Sequence, residues 1–280
     1  LSRAHRELNR RSWNAATVAH NSHKGDQAGF LRGGGSTLFE EELGLLGDVS
    51  GKRLVHLQCN AGQDTLSLAA MGARVTGVDI SDDAVTFAQG LSREAGLPAT
   101  FVRSDVYDWL RTTRARYDLV FASYGVVGWL DDLATWAKGV ARVLKRGGAF
   151  VYVDFHPVAW VFNERWKAEY PYTTSGRALP GPGVSDYVGR SGEGLVPWGF
   201  ERGVRGFKNP HRSAEFAWGL GEIVQALLSA GLLLERLEEY PHANGCVIFK
   251  GMREGPPRRF RPGIGDPQVP LMFGLRARKR

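Results

Sequence analysis

The chain has 280 residues, 43% of them hydrophobic, so it can bury a sizeable core, and 36 glycines with 13 prolines leave room for long ordered loops. Its two cysteines, Cys59 and Cys246, provide neither a disulfide framework nor metal-ligand spacing, and no apolar run approaches the roughly 20 residues that cross a bilayer. The formal charge of +7 invites a nucleic-acid reading, but much of the excess is terminal: Arg3, Arg6, Arg10 and Arg11 open the chain, and Arg276, Arg278, Lys279 and Arg280 close it, in clusters that read as solvated tails.

Leu8 to Ala19, with Trp13, Ala16 and Val18 among polar residues, predicts a short amphipathic helix. The stretch after it is loop-like until Glu40 begins another helix, and Thr37 with Glu40 has the spacing of a capping box. Lys52 to Ser81, KRLVHLQCNAGQDTLSLAAMGARVTGVDIS, is the most informative segment. Arg53 to Leu57 is an apolar run of strand length, Gln58 to Gln63 is small and polar, and Asp64 to Met71 is a helix that Gly72 stops. Arg74 to Val78 is a second strand, with Asp79 at its carboxyl end. Ligands of open parallel sheets bind beyond the carboxyl ends of the strands, so the loop and Asp79 should converge on one ligand, and a carboxylate there suits the hydroxyls of a ribose.

Further along, Asp105 lies in RSDVYDW, ahead of a short helix starting near Tyr107; Tyr117 to Ser123 reads as a strand, and Val143 to Asp154 as a helix end, a glycine turn and another strand. Phe155 to Arg212 breaks the alternation. Its aromatic content argues for an ordered insertion, since disordered segments are poor in aromatics. Asp186 to Val188, Val196 to Glu201 and Glu215 to Trp218 are candidate strands of a small antiparallel sheet. Leu220 to Ala230 is an apolar helix, Leu232 to Tyr240 a strand, Pro241 to Gln268 a long loop and Pro270 to Arg278 the last strand.

From about Lys52 to Asp154 these landmarks resemble the core of the class I S-adenosylmethionine-dependent methyltransferases. That family's first motif reads acidic residue, Leu, Gly, x, Gly, x, Gly; here the aligned residues are His56, Leu57, Gln58, Cys59, Asn60, Ala61 and Gly62, and only the last glycine is kept. The resemblance implies an α/β fold: a doubly wound, mostly parallel seven-stranded sheet of Rossmann-like methyltransferase type, with an N-terminal lid and an insertion after the fifth strand. The expected segments are 1–50 (lid), 51–155 (cofactor-binding core), 156–218 (aromatic substrate cover) and 219–280 (completion of the core). An NAD-binding fold is the rival, but it needs close backbone approach to a pyrophosphate, which Gln58 and Asn60 obstruct.

The resemblance further implies S-adenosylmethionine as cofactor. Asp79 matches the ribose-binding acid and Asp105 the acid that accepts from the adenine amino group, with Val106 as wall and backbone donor. Gln58, Cys59, Asn60, Gly62, Asp64, Thr65, Ile80 and Ser123 complete the expected cofactor set. Asp79 and Asp105 also read as helix caps. The expected substrate cover holds Trp13, Trp160, Trp198, Phe200, Trp218 and His242. Methyl transfer needs nucleophile and methyl donor in line, with water excluded. Tyr124 and His156 are the candidate proton acceptors, His156 the better by its ordinary pKa near 6.5; His156-Pro157 also reads as the plain start of a helix.

A metal is not expected. The aromatic insertion favours a small, apolar or ring-containing acceptor in a cytoplasmic enzyme without membrane or nucleic-acid partner, and the oligomeric state stays open. The alternatives are an RNA or protein methyltransferase and a non-catalytic cofactor-binding partner subunit. Against base methylation, Ala122-Ser123-Tyr124-Gly125 lacks the Asn/Asp-Pro-Pro-aromatic signature.

Overall fold

In the computed structural model, which describes residues 2–280, a seven-stranded sheet organises the chain; Leu1, the first residue of the expected lid, lies outside the described residues. Strands β1 (Arg53–Leu57), β2 (Arg74–Asp79), β3 (Thr100–Arg103), β4 (Tyr117–Ser123) and β5 (Leu144–Phe155) are parallel. Strands β6 (Leu232–Tyr240) and β7 (Met272–Lys279) complete the spatial order β3-β2-β1-β4-β5-β7-β6, with β7 antiparallel to both neighbours. The strand order reverses between β1 and β4, which opens a crevice at their carboxyl ends.

Both faces of the sheet are covered, so the central strands are apolar without alternation: β4 buries Tyr117 and every residue from Leu119 to Ser123. On one face Leu57, Val120, Phe150, Tyr152 and Phe273 pack against α6 (Val106–Thr112), α7 (Leu133–Val143) and α9 (Leu220–Ser229). On the other, Leu54, Phe121, Val151 and Met272 pack against Leu45 and Leu46 of α3 (Glu40–Leu46). Helices α4 (Gln63–Ala70) and α5 (Asp82–Ala95) are the crossovers that parallel strands require, one after β1 and one after β2.

Several local expectations are corrected. The first helix, α1, runs Arg3–Asn21, longer than its apolar periodicity suggested, because Ser2 caps it by accepting from the backbone N–H of His5. The expected loop after it contains α2 (Gln27–Arg32), capped by Asp26. At the start of α3 it is Glu42 that accepts from the Phe39 N–H, at 2.9 Å, whereas the Thr37 hydroxyl turns to Asp64. Asp186 caps α8 (Tyr187–Ser191), where a strand was expected, and the insertion's antiparallel pair is Leu179–Gly181 with Ser213–Glu215. The expected long loop 241–268 carries three short strands, Ala243–Asn244, Arg253–Gly255 and Arg259–Arg261. Cys246, Ile248 and Phe249 hold it down in a satellite core with Ala159 and Leu271.

The segments outside the sheet close over its crevice. Asn9 of α1 pairs with Ala214 of the insertion through both amide groups, each at 2.8 Å, and Ser12 accepts from Val184 N–H at 2.9 Å. The other side of α1 reaches α5, where Arg10 pairs with Asp82 and Asn14 accepts from Ser81. These contacts fix α1 as a beam between core and insertion.

Candidate active site

The loop between β1 and α4 keeps a glycine-type conformation with a single glycine. Gln58, Asn60 and Gly62 have φ of 54°, 49° and 83°, so all three positions where the resembled motif carries glycine are left-handed. Local bonds offset the steric cost at the first two: Gln58 Nε2 donates to the Val126 carbonyl at 3.1 Å, and Asn60 Oδ1 accepts from Ala61 N–H at 2.6 Å. Gly62 is held by packing as well, since a Cβ there would lie 2.8 Å from both Ala88 and Phe101.

Asp79 ties the ends of β1 and β2 together. Its Oδ2 accepts from Asn60 N–H and its Oδ1 from Ser81 N–H, each at 2.8 Å, and burial raises its pKa above the ordinary carboxylate value. Asp105 caps α6 through Oδ1, which accepts from Tyr107 and Asp108 N–H and pairs with Arg6 at 3.2 Å. Burial raises its pKa too. Both acids serve as structural anchors and also line one cavity of about 550 Å³, within the roughly 300–1,000 Å³ of small-molecule sites.

Of the residues singled out in the sequence, Gln58, Cys59, Asn60, Asp64, Asp79, Ile80, Asp105, Val106, Ser123 and Tyr124 line this cavity, together with Trp13, Trp160 and Trp198. Gly62 and Thr65 stand behind the wall: the first is packed under Phe101, and Thr65 Oγ1 lies 2.9 Å from His56 Nδ1. Three residues of the expected substrate cover are corrected. Phe200 stacks on His23 with centroids 5.2 Å apart. Trp218 donates from Nε1 to the Leu130 carbonyl at 2.8 Å. His242 is buried 3.0 Å from Glu41.

His156, the preferred proton acceptor, does not reach the cavity either. The chain leaves β5 by turning toward β7, where His156 N–H donates to the Leu271 carbonyl at 2.8 Å. Its ring accepts from Val158 N–H through Nδ1 at 3.1 Å and sits 2.8 Å from Glu239 through Nε2. Burial lowers its pKa and Glu239 opposes that shift.

Three cavity residues already singled out take partners the sequence does not show, and Glu42, Trp129 and Tyr187 join them without a sequence signal of their own. His56 stands where the motif has an acid; it is fully desolvated, which pushes its pKa down to about 4 and keeps the ring neutral between Thr65 and Ser123. Asp64 accepts from the Thr37 hydroxyl at 2.5 Å and from Ser123 at 3.4 Å. Tyr124 has φ 52°, and its phenol meets Glu42 and accepts from Asn244 Nδ2 at 3.2 Å. Burial pushes Glu42 up to about 8, so its carboxyl is protonated at neutral pH. Trp129, stacked edge-on against Trp13 at 5.4 Å, and Tyr187, on α8, complete the aromatic wall.

Residues 55–148 match the family model described as a methyltransferase domain. The chain carries a class I S-adenosylmethionine-dependent methyltransferase domain. The domain is 36% identical over 114 residues to an uncharacterized methyltransferase of Synechocystis, a match covering 40% of this chain and 51% of that protein. It is 33% identical over 104 residues to a ubiquinone biosynthesis O-methyltransferase of Nitrosomonas europaea, covering 37% and 44% of the two chains. This chain thus spans about half the length of the curated relatives it matches. The solved structure of an S-adenosylmethionine-dependent methyltransferase from Mesorhizobium loti shares the fold with a TM-score of 0.54 at 20% identity, over 88% of this chain and 99% of that one.

The methyltransferase domain's loop fits such a cofactor. The side chains of Gln58 and Asn60 line the cavity, and Gln58 Oε1 is buried without a partner among the described residues, leaving an acceptor for a ligand donor.

Proposed function

We propose that this chain transfers a methyl group from S-adenosylmethionine to an oxygen, nitrogen or carbon nucleophile of a small, apolar or ring-containing molecule. The observation that carries the reading is one cavity whose floor holds Asp79 and Asp105 and whose walls hold Trp13, Trp129, Trp160 and Trp198. Rigid aromatic walls suit a flat apolar acceptor, and a roofed cavity suits a small one better than a strand of RNA. The name of the Nitrosomonas europaea relative, an O-methyltransferase of ubiquinone biosynthesis, supports the same class.

When bound, the cofactor supplies an electrophilic methyl group on a sulfonium. The protein's part is to orient and to exclude water: Asp79 holds the ribose, Asp105 and Val106 the adenine, and residues 1–50 and 156–218 serve as lid and substrate cover. Of the two candidate proton acceptors, Tyr124 is the one at the cavity; burial and Glu42 raise its pKa, so it stays a neutral phenol that orients the acceptor by a hydrogen bond, and the acceptor's proton leaves to solvent. No helix among the described residues is long and apolar enough to cross a membrane, and a cytoplasmic location belongs to this reading. The test is calorimetry with S-adenosylhomocysteine, then a methyl-transfer assay over phenols, catechols, aromatic amines and aromatic acids. Micromolar binding with turnover of at least one aromatic class supports the reading; absence of binding overturns it.

A further inference from the structure

An α-amino acid end, such as the methionine portion of this cofactor, is a zwitterion, and a site that takes it out of water must face it with one anion and one cation. Position 56, which is acidic in the resembled motif, is here a neutral histidine, so the usual anion is missing from β1. Two other charged side chains stand at the same end of the cavity.

Asp64 opens α4 directly after the loop and lines the cavity, oriented by Thr37 and Ser123. Lys24 lines it as well, from the segment between α1 and α2. That segment is fixed from both sides. Glu201 N–H donates to the His23 carbonyl at 2.9 Å, Lys24 pairs with Phe200 in a short antiparallel bridge, and Gln63 Nε2 donates to Gln27 Oε1 at 2.7 Å across the loop. Lys24 therefore comes to the mouth of the β1 loop on a rigid support.

The Lys24 ammonium is desolvated, which lowers its pKa to about 8, and Asp64 is the carboxylate whose charge acts against that shift. Yet among the described residues Lys24 makes no ion pair within 4.0 Å. Of the other cations on the wall, Arg6 is paired with Asp105, Arg258 donates to the Gly194 carbonyl while lying over the Phe39 ring, and Arg190 is exposed to solvent on α8. Lys24 is half-buried and lines the same cavity as Asp64, and an ammonium partly withdrawn from water near a carboxylate gains from a ligand that pairs with both.

We infer that Lys24 and Asp64 form a zwitterion clamp for the amino-acid end of the cofactor, Lys24 binding its carboxylate and Asp64 its ammonium. The clamp replaces the acid that position 56 lacks, and it makes the N-terminal segment part of the cofactor site as well as its cover. It rests on the function proposed above.

The test compares two ligands that share the adenosine and the thioether. S-adenosylhomocysteine carries the amino-acid end and 5′-methylthioadenosine lacks it. Titration calorimetry of Lys24→Met and Asp64→Asn should show S-adenosylhomocysteine bound about 10- to 100-fold more weakly than by the unaltered protein, the range for a lost charge-assisted hydrogen bond. The affinity for 5′-methylthioadenosine should stay within about twofold, which also shows that the variants are folded. Unchanged binding of S-adenosylhomocysteine by Lys24→Met, or equal loss of both ligands, overturns the clamp and leaves the proposed function standing. An unaltered protein that binds neither ligand overturns the proposed function, and the clamp with it.

Discussion

The carboxyl of Glu42 is sealed against the phenol of Tyr124 behind the cavity wall, with no exposed surface on Glu42. Its second carboxyl oxygen accepts from Phe39 N–H at 2.9 Å, so the group both starts α3 and backs a cavity residue. Burial raises its pKa from 4.5 to about 8. The folded state therefore keeps a proton that the unfolded state has lost. Stability contributed by Glu42 is full below pH 4.5, falls as pH rises, and levels off above about 8. The slope from this group is on the order of 1.4 kcal/mol per pH unit. Glu42→Gln imitates the protonated carboxyl, so urea unfolding of the variant should lose less stability between pH 5 and 8 than the unaltered protein. Parallel curves would show that Glu42 does not titrate in that window.

Two buried histidines act in the opposite direction. Desolvation lowers His20 and His56 from 6.5 to about 4. For a depressed pKa the stabilising contribution is present above the unfolded value of 6.5 and disappears as pH falls toward 4. Each contributes on the order of 3 kcal/mol over that range. Replacing His20 by Gln, which retains a donor for the Ser185 carbonyl 2.9 Å away, should flatten the acid limb of the stability curve. The comparison is the urea midpoint at pH 7 against pH 4.5, and an equal drop in both proteins would remove His20 from the account.

Asp79→Ala should weaken S-adenosylhomocysteine binding by about 1.5–3 kcal/mol, the range for hydrogen bonds to a charged group. The same change leaves the Asn60 and Ser81 N–H groups without their acceptor, so circular dichroism must accompany the calorimetry. A folded variant with unaltered affinity would sink the ribose assignment.

Among the three left-handed positions of the loop, Gly62 should be the least replaceable. Gly62→Ala places a methyl 2.8 Å from Ala88 and Phe101 at φ 83°, for a combined loss of roughly 2–4 kcal/mol from overpacking and backbone strain. Asn60→Gly relieves its strain while losing the bond to Ala61 N–H, and should change stability by less than about 1 kcal/mol. Thermal unfolding separates the two, and similar melting temperatures would refute the packing argument.

The sequence by itself determined the framework. Arg53–Leu57 and Tyr117–Ser123 are strands with the bounds their apolar runs imply, because a central strand covered on both faces is apolar nearly throughout and turn residues bracket it, and Leu232–Tyr240, a largely exposed edge strand, also keeps its expected bounds. The order strand, small-residue turn, helix, strand and acid likewise brought Asp79 to the cavity, since residues at the carboxyl ends of neighbouring parallel strands face the same crevice.

Tertiary structure alone decided the rest. His156 looked like a proton acceptor because it comes directly after β5, yet the turn to β7 carries it to Glu239, a partner 83 residues away that no local pattern specifies. Segment 241–268 looked like a loop, because strands of two or three residues leave little periodicity to read even though they pair with one another. Lys24, Glu42 and Asn244 sit in stretches with no motif; their roles arise from α1, the insertion and the 241–268 segment folding over one crevice. Burial and charge, which set the pKa values of Glu42, His56 and Lys24, are properties of that closure and of no segment taken alone.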